Sequence, residues 1–273
     1  MSDRQNFRCS YNRIEIIVSY LCNLKCNNCD ALVSQAPSNA SMTVEQIQKF
    51  INESIENQVH WKHIRLLGGE PTLHKEIFVF LDLLRNYRDN YSPKTKIQLV
   101  TNGFGSVVKT KIAKVPNDIE IENSNKSSSF QPQFAPINVA PIDIEEYKSS
   151  DFSKGCWIPS LCGITLDMHG YYPCSAAAAF DRVLGFDKGQ KTFPKFGDLE
   201  KLFSVYCKFC NHFADEINNY ADFPVDSDEA VEKFEKIHKD NFAETQKDNY
   251  YEETIYSKTW EKAMKKYKEK KPI

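Results

Sequence analysis

Three short aliphatic and β-branched runs, at residues 14–18, 63–67 and 96–100, are spaced so that a helix fits between each pair. That is the pattern of a parallel sheet with helical crossovers. Thr43-Val-Glu-Gln46 is a capping-box pattern. It opens a helix over 44–58, with Val44, Ile47, Phe50, Ile51 and Ile55 at helical spacing. Residues 75–90 form the next helix, with Ile77, Phe78, Phe80, Leu81 and Leu84 as its apolar stripe. A short helix near 106–114 leads to a fourth strand at 119–122, after which the helical spacing weakens. The expectation is an α/β fold, a partial and truncated β/α barrel with its chemistry at the C-terminal ends of the strands.

Each of the first three runs ends in residues suited to chemistry. Cys22-Asn-Leu-Lys-Cys26-Asn-Asn-Cys29 follows the first. Three thiolates on one loop can hold three irons of a [4Fe–4S] cluster and leave the fourth open to a chelating small molecule. A structural zinc site wants four closed ligands, and no fourth Cys or His lies nearby in sequence. Gly68-Gly69-Glu70-Pro71 follows the second run; glycines let backbone approach a ligand and a carboxylate pairs with an ammonium. Thr101-Asn102-Gly103 follows the third, and Asn-Gly is by itself a common turn.

The second half is different in kind. Cys156, Cys162, Cys174, Cys207 and Cys210 fall within 55 consecutive positions, with Cys207-Lys-Phe-Cys210 as a C-x2-C knuckle. Residues 167–174 read as a β-hairpin that delivers Cys174. From spacing alone, zinc and iron–sulfur stand even here. Residues 123–141 hold three prolines and four serines and read as a loop. The chain then turns acidic, and Lys-rich and helical over about 227–270, with pairs such as Glu232–Lys236 on a solvated face.

The 273 residues carry a net charge of −2 and are 41% hydrophobic, which gives no electrostatic case for nucleic acid. No apolar run reaches the length of about 18 residues that a membrane span needs. The polar start lacks the apolar core of a signal peptide, so the expected location is cytoplasmic. Nine cysteines in such a protein argue for metal ligation over disulfides.

Taken in order, the cysteine run, Gly-Gly-Glu-Pro and Thr-Asn-Gly resemble the motifs of the radical S-adenosylmethionine (SAM) superfamily. The resemblance implies a partial β/α barrel in which Cys22, Cys26 and Cys29 hold a [4Fe–4S] cluster that chelates SAM. Gly68, Gly69 and Glu70 would hold the methionine end, and Thr101 and Asn102 the ribose or substrate. Asn28 stands where this family usually has an aromatic residue or His that packs the adenine.

The later cysteines resemble a Twitch domain, the shortened relative of the SPASM domain, with one auxiliary [4Fe–4S] cluster. That likeness implies Cys156, Cys174, Cys207 and Cys210 as ligands, with Cys162 as the rival for the first place and Cys9 left over. The resemblance of the upstream motifs to the radical SAM superfamily tips the balance here from zinc to iron–sulfur. The implied domains are a barrel over 10–150, a Twitch-like unit over 151–215 and a helical segment over 216–273.

Architecture, size and cysteine spacing over roughly 14–213 resemble the 2-deoxy-scyllo-inosamine dehydrogenases. The implied activity is reductive cleavage of SAM to a 5′-deoxyadenosyl radical and oxidation of a sugar- or cyclitol-like alcohol, with the auxiliary cluster as electron acceptor. A flavodoxin- or ferredoxin-like protein would be the reductant, and Glu122, His169 and Arg182 are the candidates for proton transfer. Alternatives are a peptide-modifying enzyme, an epimerase using Cys162 or Cys9 as thiol donor, and a non-catalytic iron–sulfur scaffold or electron carrier. Five late cysteines cannot ligate two auxiliary clusters, and nothing of domain size precedes Cys22 to grip a peptide; both favour a small substrate.

Overall fold

The computed structural model describes residues 4–128, 136–214 and 254–270, with backbone alone for 267–270. Part of the 123–141 loop and the Glu232–Lys236 pair therefore lie outside the described residues. Six strands form one open sheet: β1 (Arg13–Ser19), β2 (His63–Gly68), β3 (Lys96–Thr101), β4 (Glu120–Asn123), β5 (Ile164–Asp167) and β6 (Gly170–Tyr172). Their order across the sheet is β4-β3-β2-β1-β5-β6. All neighbours are parallel except β5 and β6, which form the expected hairpin. The sheet is not closed, as a partial barrel requires. It also crosses the expected division near residue 150, because β5 pairs directly with β1.

Helices α1 (Val44–Glu56), α2 (Ile77–Asn90) and α3 (Ser106–Ile112) make the crossovers among the first four strands. Thr43 and Gln46 form the expected capping box at the start of α1. Strand periodicity decides the two faces of the sheet. Ile14, Ile16, Ile64, Leu66, Ile97 and Leu99 point outward and pack with Ile47, Phe50, Phe80, Leu81 and Leu84 of the helices in one buried cluster.

The second half adds α4 (Ile158–Leu161), α5 (Ser175–Leu184), α6 (Phe203–Tyr206) and α7 (Lys258–Lys270). A second apolar cluster joins Ile17 of β1 to Ala177, Phe180 and Val183 of α5 and to Trp260 of α7. Trp260 is fully buried, donates its indole N–H to the Phe209 carbonyl at 2.7 Å and meets the Phe180 ring edge-on. Among the described residues no helix is long and apolar enough to cross a membrane.

The inner face is mixed: Ile17 and Leu67 join the second apolar cluster, and the tiers nearer the strand starts are polar. Its lowest tier sets His63 between Arg13 and Lys96 in register. Burial, with Arg65, Arg13 and Lys96 adding to it, lowers the His63 pKa from 6.5 to about 4. Between those values the unfolded chain takes up a proton that the fold refuses. Acidification through that window should therefore cost about 2–3 kcal/mol of stability. Urea unfolding of His63→Phe at pH 7 and pH 4 should show a smaller drop than the parent; an equal drop would place the acid sensitivity elsewhere.

Candidate active site

Cys22, Cys26 and Cys29 lie on the loop that leaves the C-terminal end of β1. Cys26 is buried and the other two half-buried, and none of the nine cysteines is in a disulfide. Burial pushes the Cys22 and Cys26 thiols up, and each feels the charge of its partners in the run. Leu24 N–H and the Asn102 side-chain amide point at Cys22 Sγ from 3.4 and 3.7 Å. Asn102 also holds Asn23 Oδ1 at 2.9 Å, and Asn23 reaches the Phe104 carbonyl at 2.7 Å. The Thr-Asn-Gly turn thus grips the cysteine loop directly.

Gly68 and Gly69 are required where β2 runs against the end of β1. A Cβ on either would stand 2.3 Å from a carbonyl oxygen, of Ser19 or of Leu21. The N–H groups of Gly69 and Glu70 donate to those same carbonyls, each at 2.8 Å. The Glu70 carboxylate is fully buried and already engaged. It accepts from Thr72 N–H at 3.1 Å, Thr72 Oγ1 at 2.7 Å, Thr101 Oγ1 at 2.9 Å and Asn102 N–H at 2.7 Å. Its carboxylate ties β2 to β3. Asn28 is buried with φ 52°, in the left-handed region that Asn tolerates. Its N–H meets Thr254 Oγ1 at 3.3 Å and its Oδ1 accepts from Ile255 N–H at 3.1 Å, so the segment before α7 covers the cysteine loop.

The later cysteines gather at the opposite edge of the sheet. Cys156, Cys174, Cys207 and Cys210 line one pocket with Ile158 and Phe203 among its walls. Burial and mutual charge raise all three of Cys174, Cys207 and Cys210, Cys174 to about 12. Cys162 is absent from that pocket's lining but packs in the same small cluster as Cys156 and Cys174; its thiol, pushed up to about 12 by burial, also neighbours Glu15, Arg65 and Glu122. Cys9 is buried against the Pro173 carbonyl. Among the described residues no three His, Cys, Asp or Glu side chains close on a single metal ion.

The three proton-transfer candidates are scattered. Glu122 shares the inner face and pairs with Arg65 at 2.7 Å. His169 is exposed on the β5–β6 turn, its N–H donating to Asp167. Arg182 is buried with Asp167 at 3.7 Å, bonds the Ala31 carbonyl just beyond Cys29 and stacks 4.2 Å over the Tyr20 ring. Tyr20 OH donates to Asp167 at 2.7 Å. Two site residues escaped the sequence reading, Glu15 and Asp167. The signal for Glu15 was visible, a carboxylate inside the apolar strand Ile14-Glu-Ile-Ile-Val18.

Residues 16–114 match the Radical SAM superfamily, so the chain carries a radical SAM domain. GTP 3',8-cyclase of Aliarcobacter butzleri is 28% identical over 135 residues, 49% of this chain and 39% of that protein. 7-Carboxy-7-deazaguanine synthase of Halobacterium salinarum is 42% identical over 64 residues, 23% of each chain. The match thus spans well under half the length of these curated relatives. The structure of BtrN in complex with AdoMet and 2-DOIA superposes with a TM-score of 0.43 at 14% identity, covering 75% of this chain and 94% of that one.

The carboxylate clamp has a direct test. Glu70→Gln replaces an acceptor oxygen with a donor amide facing other donors, and should destabilise the cluster-free protein by about 2–3 kcal/mol in urea. Unchanged stability would mean that the side chain waits for a ligand instead.

Proposed function

We propose that this chain oxidises a small polar substrate, a sugar- or cyclitol-like alcohol, by radical SAM chemistry coupled to an auxiliary [4Fe–4S] cluster. The observation that carries the reading is the second thiol set, in which Cys156, Cys174, Cys207 and Cys210 surround one pocket in a chain that also carries a radical SAM domain. Four thiols spread around a volume suit a cluster better than one zinc ion, whose ligands converge within about 2.3 Å of a point. Cys22, Cys26 and Cys29 would hold the first cluster, and the main chain at Gly68 and Gly69 lies beside their loop for the methionine end of SAM. When bound, that centre supplies reductive cleavage of SAM to a 5′-deoxyadenosyl radical. A second cluster with all four irons on protein thiolates offers no open position, and its chemistry would be to accept an electron.

The chain's own part is orientation and proton handling. Oxidising an alcohol to a ketone releases two electrons and two protons. One of each leaves as the abstracted hydrogen atom, and a base must take the remaining proton. Glu122 is the best placed of the three candidates, since it lies on the inner face. A second reading, redox-neutral epimerisation, is favoured by Cys162, whose protonated thiol neighbours the same inner carboxylates.

Metal content tests the reading first. Anaerobically reconstituted protein should hold about eight irons, and a variant with Cys22, Cys26 and Cys29 changed to Ala about four. About four irons with one zinc in the parent would remove the electron acceptor and leave epimerisation. With a reductant, 5′-deoxyadenosine should form and rise with sugar alcohols; a rise with GTP alone would favour the cyclase relatives' chemistry.

A further inference from the structure

The chain before β1 is fastened beside the second thiol set, and the reading above gives it no task. Phe7 N–H donates to the Lys154 carbonyl and Ser10 N–H to the Pro159 carbonyl, each at 2.9 Å. The Ser160 hydroxyl donates to the Arg8 carbonyl at 2.7 Å. Phe7 is buried in one small cluster with Cys156 and Trp157. Residues 4–10 are thus a strap along the segment that carries Cys156.

At the end of the strap, Arg4 bridges two sides of the thiol set. Its Nη2 donates to the Phe213 carbonyl at 2.7 Å and to the Gly155 carbonyl at 3.3 Å. Gly155 precedes Cys156, and Phe213 follows Cys210 by three positions. The guanidinium carbon stands 3.6 Å from the centre of the Phe213 ring, which is fully buried and packed against Tyr147 and Phe152. This seat offers carbonyl dipoles and an aromatic face but no anion. Among the described residues no carboxylate pairs with Arg4, and its buried Nε bonds nothing. Burial lowers its pKa, and the groups that oppose are Cys156, Cys207 and Tyr147. A guanidinium keeps its proton, so a cation held partly out of water here is costly unless the thiol set carries negative charge. An iron–sulfur core on four thiolates is a net anion, and one added electron makes it more negative.

We propose that Arg4 is the fixed counter-charge of the second cluster and raises its reduction potential, so that it accepts the electron the substrate gives up. The residue acts through its field and touches neither substrate nor the first centre. The electron balance is that of the reading above: the substrate radical loses one electron and a proton to a base, and the second centre gains the electron. The inference rests on the auxiliary-cluster reading and deepens it, since the strap then sets the direction of transfer.

A redox titration of the reconstituted full chain, followed by electron paramagnetic resonance, tests this. The second centre is the signal that added SAM does not perturb. Arg4→Gln keeps a donor amide but no charge, and should lower the reduced-to-oxidised ratio of that signal about tenfold at a fixed potential, a midpoint about 59 mV more negative for one electron. Arg4→Lys should recover most of that loss. The sign separates charge from shielding, because water admitted by a loosened strap would stabilise the reduced anion and move the midpoint upward. Ser160→Ala, which frees the strap without touching charge, should therefore not lower the midpoint. A raised or unchanged midpoint in Arg4→Gln, an equal fall in Arg4→Lys, or an equal fall in Ser160→Ala would overturn the proposal. Loss of the second cluster in Arg4→Gln but not in Arg4→Lys would support it, and loss in both would overturn it. Zinc in place of the SAM-insensitive signal would overturn the auxiliary-cluster reading and this inference with it, whereas a cluster indifferent to Arg4 would overturn the inference alone.

Discussion

The arrangement of the radical SAM domain's working end depends on one buried carboxylate. Glu70 loses all contact with water, and four donors compensate it. Two of those come from Thr72 in its own turn and two from Thr101 and Asn102 at the end of β3. The main chain of the same turn bonds Ser19 and Leu21 at the end of β1. Three strand ends are therefore locked at the level where the cysteine loop departs. Asn102, whose N–H Glu70 fixes, turns its side chain to Asn23 and Cys22. The geometry of the thiols is inherited from a residue that touches none of them.

Below that level the sheet separates two environments by its alternation. A parallel sheet covered by helices on both faces reads as continuous aliphatic strands. Here only the outward residues follow that rule. The inward ones form an apolar tier at Ile17 and Leu67, a charged tier at Glu15 and Arg65, and a floor in which His63 stands between Arg13 and Lys96. Buried ion pairs rarely stabilise a fold more than packed hydrophobic residues would. Keeping Arg65 between two carboxylates is therefore better understood as a property of what the face encloses than as reinforcement of the sheet.

Much of this was legible in the sequence. The strand and helix periods placed β1 to β4 and the first three helices within a residue or two, and the capping box at Thr43 is as expected. The motifs fall at strand ends because glycine pairs and Asn-Gly turns are what a chain needs there. What the sequence hid was long-range. Nothing local says that β5 pairs with β1, since strand order is decided by packing across 150 residues. The share of Glu70 in structure rather than ligand binding depends on Thr101 and Asn102, 31 and 32 residues away. The contact of Ile255 with Asn28 spans 227 positions and has no pattern to announce it. Arg182 stands eight residues after Cys174, and its partner Asp167 opens the hairpin that delivers that cysteine. Only the fold brings them together, beside the first cysteine loop.

The strand directions also explain why the two thiol sets are so placed. The first follows the C-terminal end of β1. Cys162 precedes β5, which runs parallel to β1, and Cys174 follows β6, which runs antiparallel to it. Both therefore sit at the N-terminal edge, and seven residues of β1 separate the edges by on the order of 20 Å. On the proposed function, a molecule that reacts at the first centre and passes an electron to the second would sit between these edges, on the side of the charged tier. Such a tier disfavours an apolar occupant, which would strip water from Glu15 and Glu122 without replacing its hydrogen bonds. A polar occupant with donors to give loses nothing by the exchange, and the position of the charges along the sheet would decide which of its carbons faces the first centre.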